Sequence, residues 1–508
     1  MRVFRYVRWG GGGGLAASTL AMLQGCTGEQ FIALLLAIFL LGGRSTISVD
    51  PGDSIQDAIN QAKSGYTILI KGSHDEDVSL GMDNLTIQGQ DGATIDGYIV
   101  VTGNHVTIKD IAITGVLKTL PGSFENLAFS NAQMYGVVLN GALSCDVVVN
   151  GTLGETIQGA ITAAAAGDFI CAAPGTYGET VTFNDTAPDD LTLQGFTSGS
   201  RATITGGVLF DNDVDPIDGL ALKNLVLKGD ADPNVTNQAI VKMSNSAAVN
   251  DLSFNSCVFD GENVAVSSGD NGRHGLVGNK LGGSFSVTNS EFKSILGWAL
   301  LDMDSSSDYS PIGGNGLPLT TITFSNNTVH DSNGSVALRG NHFTRTTRVD
   351  VIGNTWNNIG GVGGYTGAQW TALELNNAAQ VNVRDNVISD VQGGIYGEGQ
   401  CLQFWNVETL DARNNECSNT AQGIYFYSDG VGGTYCGAYG CPVPAGSISS
   451  NNIVTNGDFG MKVEAAAAGG PLDADNNWWG CAAGPGNPGC DSVVGNIDYT
   501  PWAISFIP

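Results

Sequence analysis

Along most of the chain, short runs of Val, Ile, Leu, Phe and Thr are cut off by Gly, Asn and Asp, and long runs with helical spacing are almost absent. Short apolar segments with alternating polarity between turn residues predict strands, so the fold class is all-β. Aligning the segments on asparagine brings out a repeat: KNLVL at Asn224, FNSCVF at Asn255, TNSEF at Asn289, NNTV at Asn327, GNTW at Asn354, DNVI at Asn386, NNEC at Asn415, NNIV at Asn452 and NNWW at Asn477. The spacing varies between 25 and 38 residues while the turn signature stays constant. That combination describes coils of one solenoid that differ in loop length.

The architecture that fits is a right-handed parallel β-helix. Each coil supplies short strands to parallel sheets, and coils stack about 4.8 Å apart. Asparagines at equivalent turns then form a column, passing side-chain hydrogen bonds from coil to coil, and asparagine tolerates a left-handed turn backbone. Alternate residues after each asparagine fill the bore.

Two segments break the pattern. In PGDSIQDAINQAKSG (51–65), Ile55, Ala58, Ile59 and Ala62 share a helical face, Ser54 with Asp57 makes a capping-box pattern, and Gly65 suits the C-terminal stop. LGETIQGAITAAAAGD (153–168) repeats the register 102 positions on. An amphipathic helix over an open tube end shields its apolar lumen and unpaired strand edge. Two caps divide the chain into 1–44, an export or anchor region; 45–140, a small β-helix module; and 141–508, the main β-helix with its C-terminal cap.

These openings, the asparagine-anchored coils and the ending NNWWGCAAGPGNPGCDSVVGNIDYTPW resemble the secreted parallel β-helix repeat proteins of the pectin-lyase-like superfamily. The resemblance covers nearly everything after residue 45. It implies that Trp478, Trp479, Gly480, Gly484, Pro485, Tyr499, Pro501 and Trp502 close the tube, so the paired tryptophans are structural. It also implies a fold that hosts lyases, hydrolases, epimerases, adhesins and passive surface proteins alike, which leaves function to the site.

Composition narrows the setting. The 72 glycines suit many tight turns, and a formal charge of −28 repels phosphate backbones and anionic lipid, which argues against nucleic acid as a partner. Arg2, Arg5 and Arg8 precede an apolar stretch ending in LQGC, which resembles a bacterial lipobox with Cys26 as the lipidated residue. A second apolar run, 31–41, follows and is too short to span a bilayer, which takes about 20 residues. A lipid anchor at Cys26 and cleavage after the second run both put the mature chain outside the cytoplasm, secreted or held at the surface by that anchor alone. Ten cysteines suit an oxidising compartment. Cys436 with Cys441 and Cys481 with Cys490 bracket Gly-rich turns and read as disulfides. Cys145 and Cys171 could join neighbouring strands, whereas Cys257 and Cys417 fall at inward positions and read as buried free thiols.

Candidate chemistry lies on the strand after the asparagine-anchored one. In ALLDMD, Leu301 and Met303 are expected to face in and Asp302 and Asp304 out; Arg339 and Asn341, Glu374 and Asn376, Gln403 and Trp405, Tyr425 and Tyr427, and Lys462 and Glu464 continue the outward stripe. The insertions 304–318 and 429–446 could wall a groove beside it. Carboxylates, a guanidinium, amides and aromatic faces suit sugar hydroxyls and rings, although a solvated sheet face accounts for polar residues equally well. Asp302, Asp304, Arg339 and Glu374 are the weak catalytic candidates: a uronate lyase needs a base and positive charge, often calcium, yet no motif here marks a calcium site. No cofactor and no metal site is expected. His274 belongs to no working motif, since Arg273 interrupts its segment, and reads as a turn residue. The expectation is an exported surface β-helix with a structural, adhesive or glycan-binding role; the alternative is a polysaccharide lyase or glycoside hydrolase.

Overall fold

The computed structural model describes residues 46–508 apart from 115, 120–126, 135–136, 144, 152–154, 197–200, 213–214, 230–238, 245–246, 263–273, 278–280, 302–318, 335, 340–345, 361–370, 394–398, 429–440, 466 and 468. One coil of the main tube consists of Leu319–Ser325, Thr328–Ser332 and Val336–Arg339. These pair in parallel with Thr346–Ile352, Thr355–Ile359 and the start of Leu373–Arg384 in the next coil. Repetition builds three sheets, called first, second and third in chain order, and parallel crossovers of this kind are right-handed. The chain is an all-β, right-handed parallel β-helix. The first and third sheets are hydrogen-bonded into one array because Leu373–Arg384 and Gln400–Arg413 run through the corner between them, kinked at Asn377 and Asn406 (φ 53° and 51°).

The bore is solid. In the second sheet Phe259, Phe292, Val329, Trp356, Ile388, Cys417 and Ile453 stand in register, all of them buried. Phe259 and Phe292 stack with ring centroids 4.3 Å apart. Each such side chain contributes about 1.5–3 kcal/mol on burial. Trp479 lies inside this bore, while Trp478 sits half-buried outside and bridges Asn452.

The turn column is Asn327, Asn354, Asn386, Asn415, Asn451 and Asn477, with Ser290 ahead of it. Ser290 N donates to Asn327 Oδ1 (2.8 Å), and Asn327 N to Asn354 Oδ1 (2.8 Å). From Asn354 onward the backbone N–H and Nδ2 of each asparagine both donate to the next Oδ1, at 2.8–3.1 Å. Each Nδ2 also reaches a carbonyl of the preceding coil, such as Val351 O from Asn386. The residue before each rung carries the left-handed backbone: Asn326, Gly353, Asp385, Asn414, Ser450 and Asn476. Two roles are therefore split over two positions, and this corrects the sequence alignment. Asn224 and Asn289 hold the left-handed position, and Asn452 lies one residue past its rung, where it exchanges hydrogen bonds with the Ile507 backbone. Where NN pairs occur, polarity alone does not say which amide turns inward.

Two short helices pack their apolar faces onto the strands. Helix α1 (Ile55–Gln61) buries Ile55, Ala58 and Ile59, and helix α2 (Ile157–Ala163) buries Ile157, Ala160 and Ile161. Ser54 Oγ accepts from Asp57 N (3.1 Å), and Thr156 Oγ1 accepts from Gly159 N (3.0 Å). The carboxylate expected to complete the first cap comes from Glu76, which accepts from Ser54 Oγ, Ile55 N and Gln56 N; Glu179 does the same for Ile157 N and Gln158 N. Helix α1 stops at Gln61 with Ala62 as its C-cap, ahead of the expected Gly65. Gln56 exchanges two hydrogen bonds with the Ser79 backbone, and Gln158 exchanges two with that of Thr182. Each amide takes the place of a neighbouring strand. Buried apolar residues fall into two clusters: one runs from Val49 to Ala132 and takes in Cys145, Val148, Cys171, Ala173 and Phe196, the other from Val149 to Trp479.

Cys145–Cys171 and Cys481–Cys490 are disulfides. Cys441 is disulfide-bonded, and Cys436 lies outside the described residues, as does Cys26. Cys417 is not a free thiol: it is bonded to Cys401, with Cα atoms 5.8 Å apart, a pairing between the third and second sheets made by the closing of the chain within less than one turn. Cys257 is free and buried in the column slot ahead of Ser290, and burial pushes its thiol up to about 11. At the C-terminal end Trp502 lies under Gly484, where a Cβ would come within 2.5 Å of the indole, so only glycine fits. Among the described residues no helix is long and apolar enough to cross a membrane.

Candidate functional site on the third sheet

Outward positions of the third sheet form two rows. Ala337, Glu374, Gln403, Tyr425, Lys462 and Val494 are in register in one; Arg339, Asn376 and Trp405 are in register in the other. Asp302, Asp304 and Asn341 lie outside the described residues, and of Arg339 only the backbone position is described. The inward residue of the earlier strand is Leu300, in register with Leu276 and Val336, one position before the expected Leu301. Consecutive apolar residues carry no parity, so alternation could be counted from the wrong one.

The upstream half of the stripe is covered. Glu374 and Asn376 are 1% and 0% exposed, which corrects their assignment as solvent-facing groups. Asn376 Nδ2 donates to Glu374 Oε1 (3.0 Å), Asn377 Nδ2 to Asn376 Oδ1 (3.1 Å), and Asn406 Nδ2 to Asn377 Oδ1 (2.6 Å). Burial of this kind demands that polar atoms find partners, and the amides here form such a network. Beside it, Thr371 Oγ1 donates to Gln400 Oε1 (2.6 Å) and Gln403 Oε1 (3.2 Å), Gln400 Nε2 to Gln422 Oε1 (2.9 Å), and Gln422 Nε2 to Asp458 Oδ2 (3.0 Å). Sequence reasoning missed this second amide chain because glutamines two or three dozen residues apart share no local motif.

The downstream half stays accessible. Gln403, Trp405, Tyr425, Tyr427, Lys462 and Glu464 are all half-buried. Trp405 meets Tyr427 edge-on with ring centroids 5.8 Å apart, and both line a small enclosed cavity with Phe404, Phe426, Pro442 and Pro444. That pair anchors the chain at 441–444 as well as facing outward. Tyr425 completes the patch: its hydroxyl donates to Glu464 Oε1 (2.7 Å), and Lys462 Nζ reaches the same oxygen (2.8 Å). The ammonium also lies 5.1 Å from the Tyr425 ring centroid and 5.9 Å from that of Phe459. Burial pushes the Glu464 carboxyl upward, but the hydrogen bonds from Lys462 and Tyr425 outweigh it and hold the group below the usual carboxylate range. Glu464 is therefore an ionised acceptor at neutral pH.

Other candidates are structural. His274 opens a third-sheet strand instead of lying in a turn; it is buried, and its Nδ1 accepts from Trp298 N (2.9 Å). Among the described residues no group of three or more His, Cys, Asp or Glu side chains is placed to hold a metal ion.

No protein-family model matches the chain, and no curated protein matches it. Solved structures do. A mannuronic-acid-specific family 6 polysaccharide lyase from human gut microbiota is 11% identical over 85% of this chain and 80% of its own (TM-score 0.23). An alginate lyase in complex with G6 is 11% identical over 91% and 89% (TM-score 0.28), and the A-module of the Azotobacter vinelandii mannuronan C-5 epimerase is 12% identical over 92% and 99% (TM-score 0.25). The parallel β-helix architecture stands on this chain's own strand pairing. A shared architecture leaves the chemistry to the residues described above.

Proposed function

We propose that this protein engages an extracellular polysaccharide on the outer face of its third sheet, over Gln403, Trp405, Tyr425, Tyr427, Lys462 and Glu464. The observation that carries the reading is the Tyr425–Glu464–Lys462 group. With Gln403 beside it, the group combines aromatic area, an ionised acceptor and an amide donor on an accessible sheet, the mixture that sugar rings and hydroxyls require. The disulfides suit an oxidising, extracytoplasmic compartment. Polysaccharide is also what the similar structures named above act on, although the reading rests on the site.

Cleavage of that polysaccharide is the second reading, favoured by a phenol hydrogen-bonded to a carboxylate beside a cation: elimination needs a base, an acid and charge stabilisation. Hydrolysis is less well served, because Glu464 is held ionised and hydrolysis needs a second, protonated carboxyl across the bond. Incubating the full chain with a polysaccharide panel separates these. Retention on a polymer, lost in Tyr425→Ala, supports engagement; unsaturated product or new reducing ends that vanish in Tyr425→Phe establish cleavage. A protein that retains nothing and releases nothing overturns the proposal.

A further inference from the structure

The class of glycan is legible in the charge arrangement of the same face, and this inference rests on the proposed function. Lys462 is already engaged within the chain. Its ammonium is ion-paired to Glu464 at 2.8 Å and is stationed over the rings of Tyr425 and Phe459. A uronate carboxylate approaching that cation meets the ionised Glu464 already paired with it, so the two anions face each other.

On the accessible part of the face the charges leave no positive surplus: Lys462 is balanced by Glu464, and Asp458 lies alongside, holding Gln422. No surplus of positive charge stands among these positions to offset a polyanion's approach to a chain of formal charge −28, and such a chain repels polyanions over a screening length of about 8–10 Å. What the patch does offer suits hydroxyls. Gln403 Oε1 accepts from Thr371, which leaves its Nε2 as a donor, and Glu464 takes both its side-chain donors on Oε1. A carboxylate accepts strong charge-assisted hydrogen bonds from neutral donors such as sugar hydroxyls.

We infer that the ligand of the third-sheet face is a neutral, hydroxyl-rich polysaccharide, selected against polyuronates by the internal neutralisation of Lys462 by Glu464. The test is affinity electrophoresis and calorimetry of the full chain with neutral polymers (a β-glucan, a xylan, a mannan) and acidic ones (polygalacturonate, alginate), at 20 and 150 mM NaCl. The expected result is binding to a neutral polymer that changes less than about twofold with salt, no retention by the acidic polymers, and at least tenfold weaker binding in Glu464→Gln. Binding confined to an acidic polymer, falling steeply with salt and lost in Lys462→Met, overturns this inference and leaves the proposed function standing. Binding to nothing in either arm overturns both. The salt series on the unmodified chain decides the matter even if a variant misfolds.

Discussion

Asn456 donates both its backbone N–H and its Nδ2 to the carboxylate of Asp491, at 3.0 and 2.8 Å, and Asp491 is only 6% exposed. This is a rung of a second corner column, in which Thr420 in turn donates to Asn456 Oδ1. Here the last acceptor is an acid instead of an amide. Burial pushes its pKa from 3.8 up to about 6, against the two hydrogen bonds from Asn456 that act to lower it.

A raised carboxyl destabilises the fold as pH rises. Well below pH 4 Asp491 is protonated in both folded and unfolded chains and contributes no difference. As pH rises from about 4 to 6 the unfolded chain releases its proton first, so stability falls, and above pH 6 the full penalty persists, at most about 3 kcal/mol. Asp491→Asn reproduces the asparagine rungs of the first column. Thermal unfolding should show the variant more stable than the parent at pH 7.5, with the difference shrinking toward zero as pH falls below 4; a difference that ignores pH would contradict the assignment.

On the outer face of the second sheet, His330 is held between Glu291 (Nε2 to Oε1, 2.9 Å) and Asp331 (Nδ1 to Oδ2, 2.7 Å). Burial works against its protonation, but the two carboxylates outweigh it and raise its pKa above 6.5. The stabilisation is complete below pH 6.5 and is lost as pH rises through the folded value. His330→Gln should therefore lower the melting temperature more at pH 5.5 than at pH 8.5.

Removing one rung of the asparagine column tests the core of the fold. Asn386→Ala leaves the backbone N–H and Nδ2 of Asn354 without their shared acceptor and the Val351 carbonyl without its donor, all in a buried corner, at a total cost of about 4 kcal/mol. Asn452→Ala, one residue off the column, loses only its exchange with Ile507 and should cost about 1 kcal/mol. Urea unfolding of the two variants makes the comparison; similar losses would argue against the rung assignment.

The thiol of Cys257 is buried and raised to about 11. At pH 8 a thiol reagent should label the native protein no faster than it unfolds, and urea should release that reactivity in step with loss of β structure. Fast labelling of the native chain would place Cys257 outside the column.

The tube was readable because its physics repeats: Val329, Trp356, Ile388 and Ile453 recur after turn amides whatever the loops between them do. The helices were equally plain, since Ile55, Ala58 and Ile59 share a face and Ser54 caps them. What sequence could not supply was coverage and parity. Alternation placed Glu374 outward, yet only the folded chain shows that position sealed; a run such as WALLDM offers no alternation to count; and the Cys401 partner of Cys417 becomes adjacent only when the turn closes and brings two sheets together. The Tyr425–Lys462–Glu464 group was legible as three outward residues, but not as one oxygen shared by two donors.

Gln56 and Gln158 each guard one strand edge against growth. A stack of parallel strands is a template for its own extension, and with bare termini it would recruit further strands as a fibril does. By offering one amide as a counterfeit backbone, each glutamine satisfies the strand beside it with a partner that has no far side to copy. At those two strands the edge is answered by a side chain instead of by another strand.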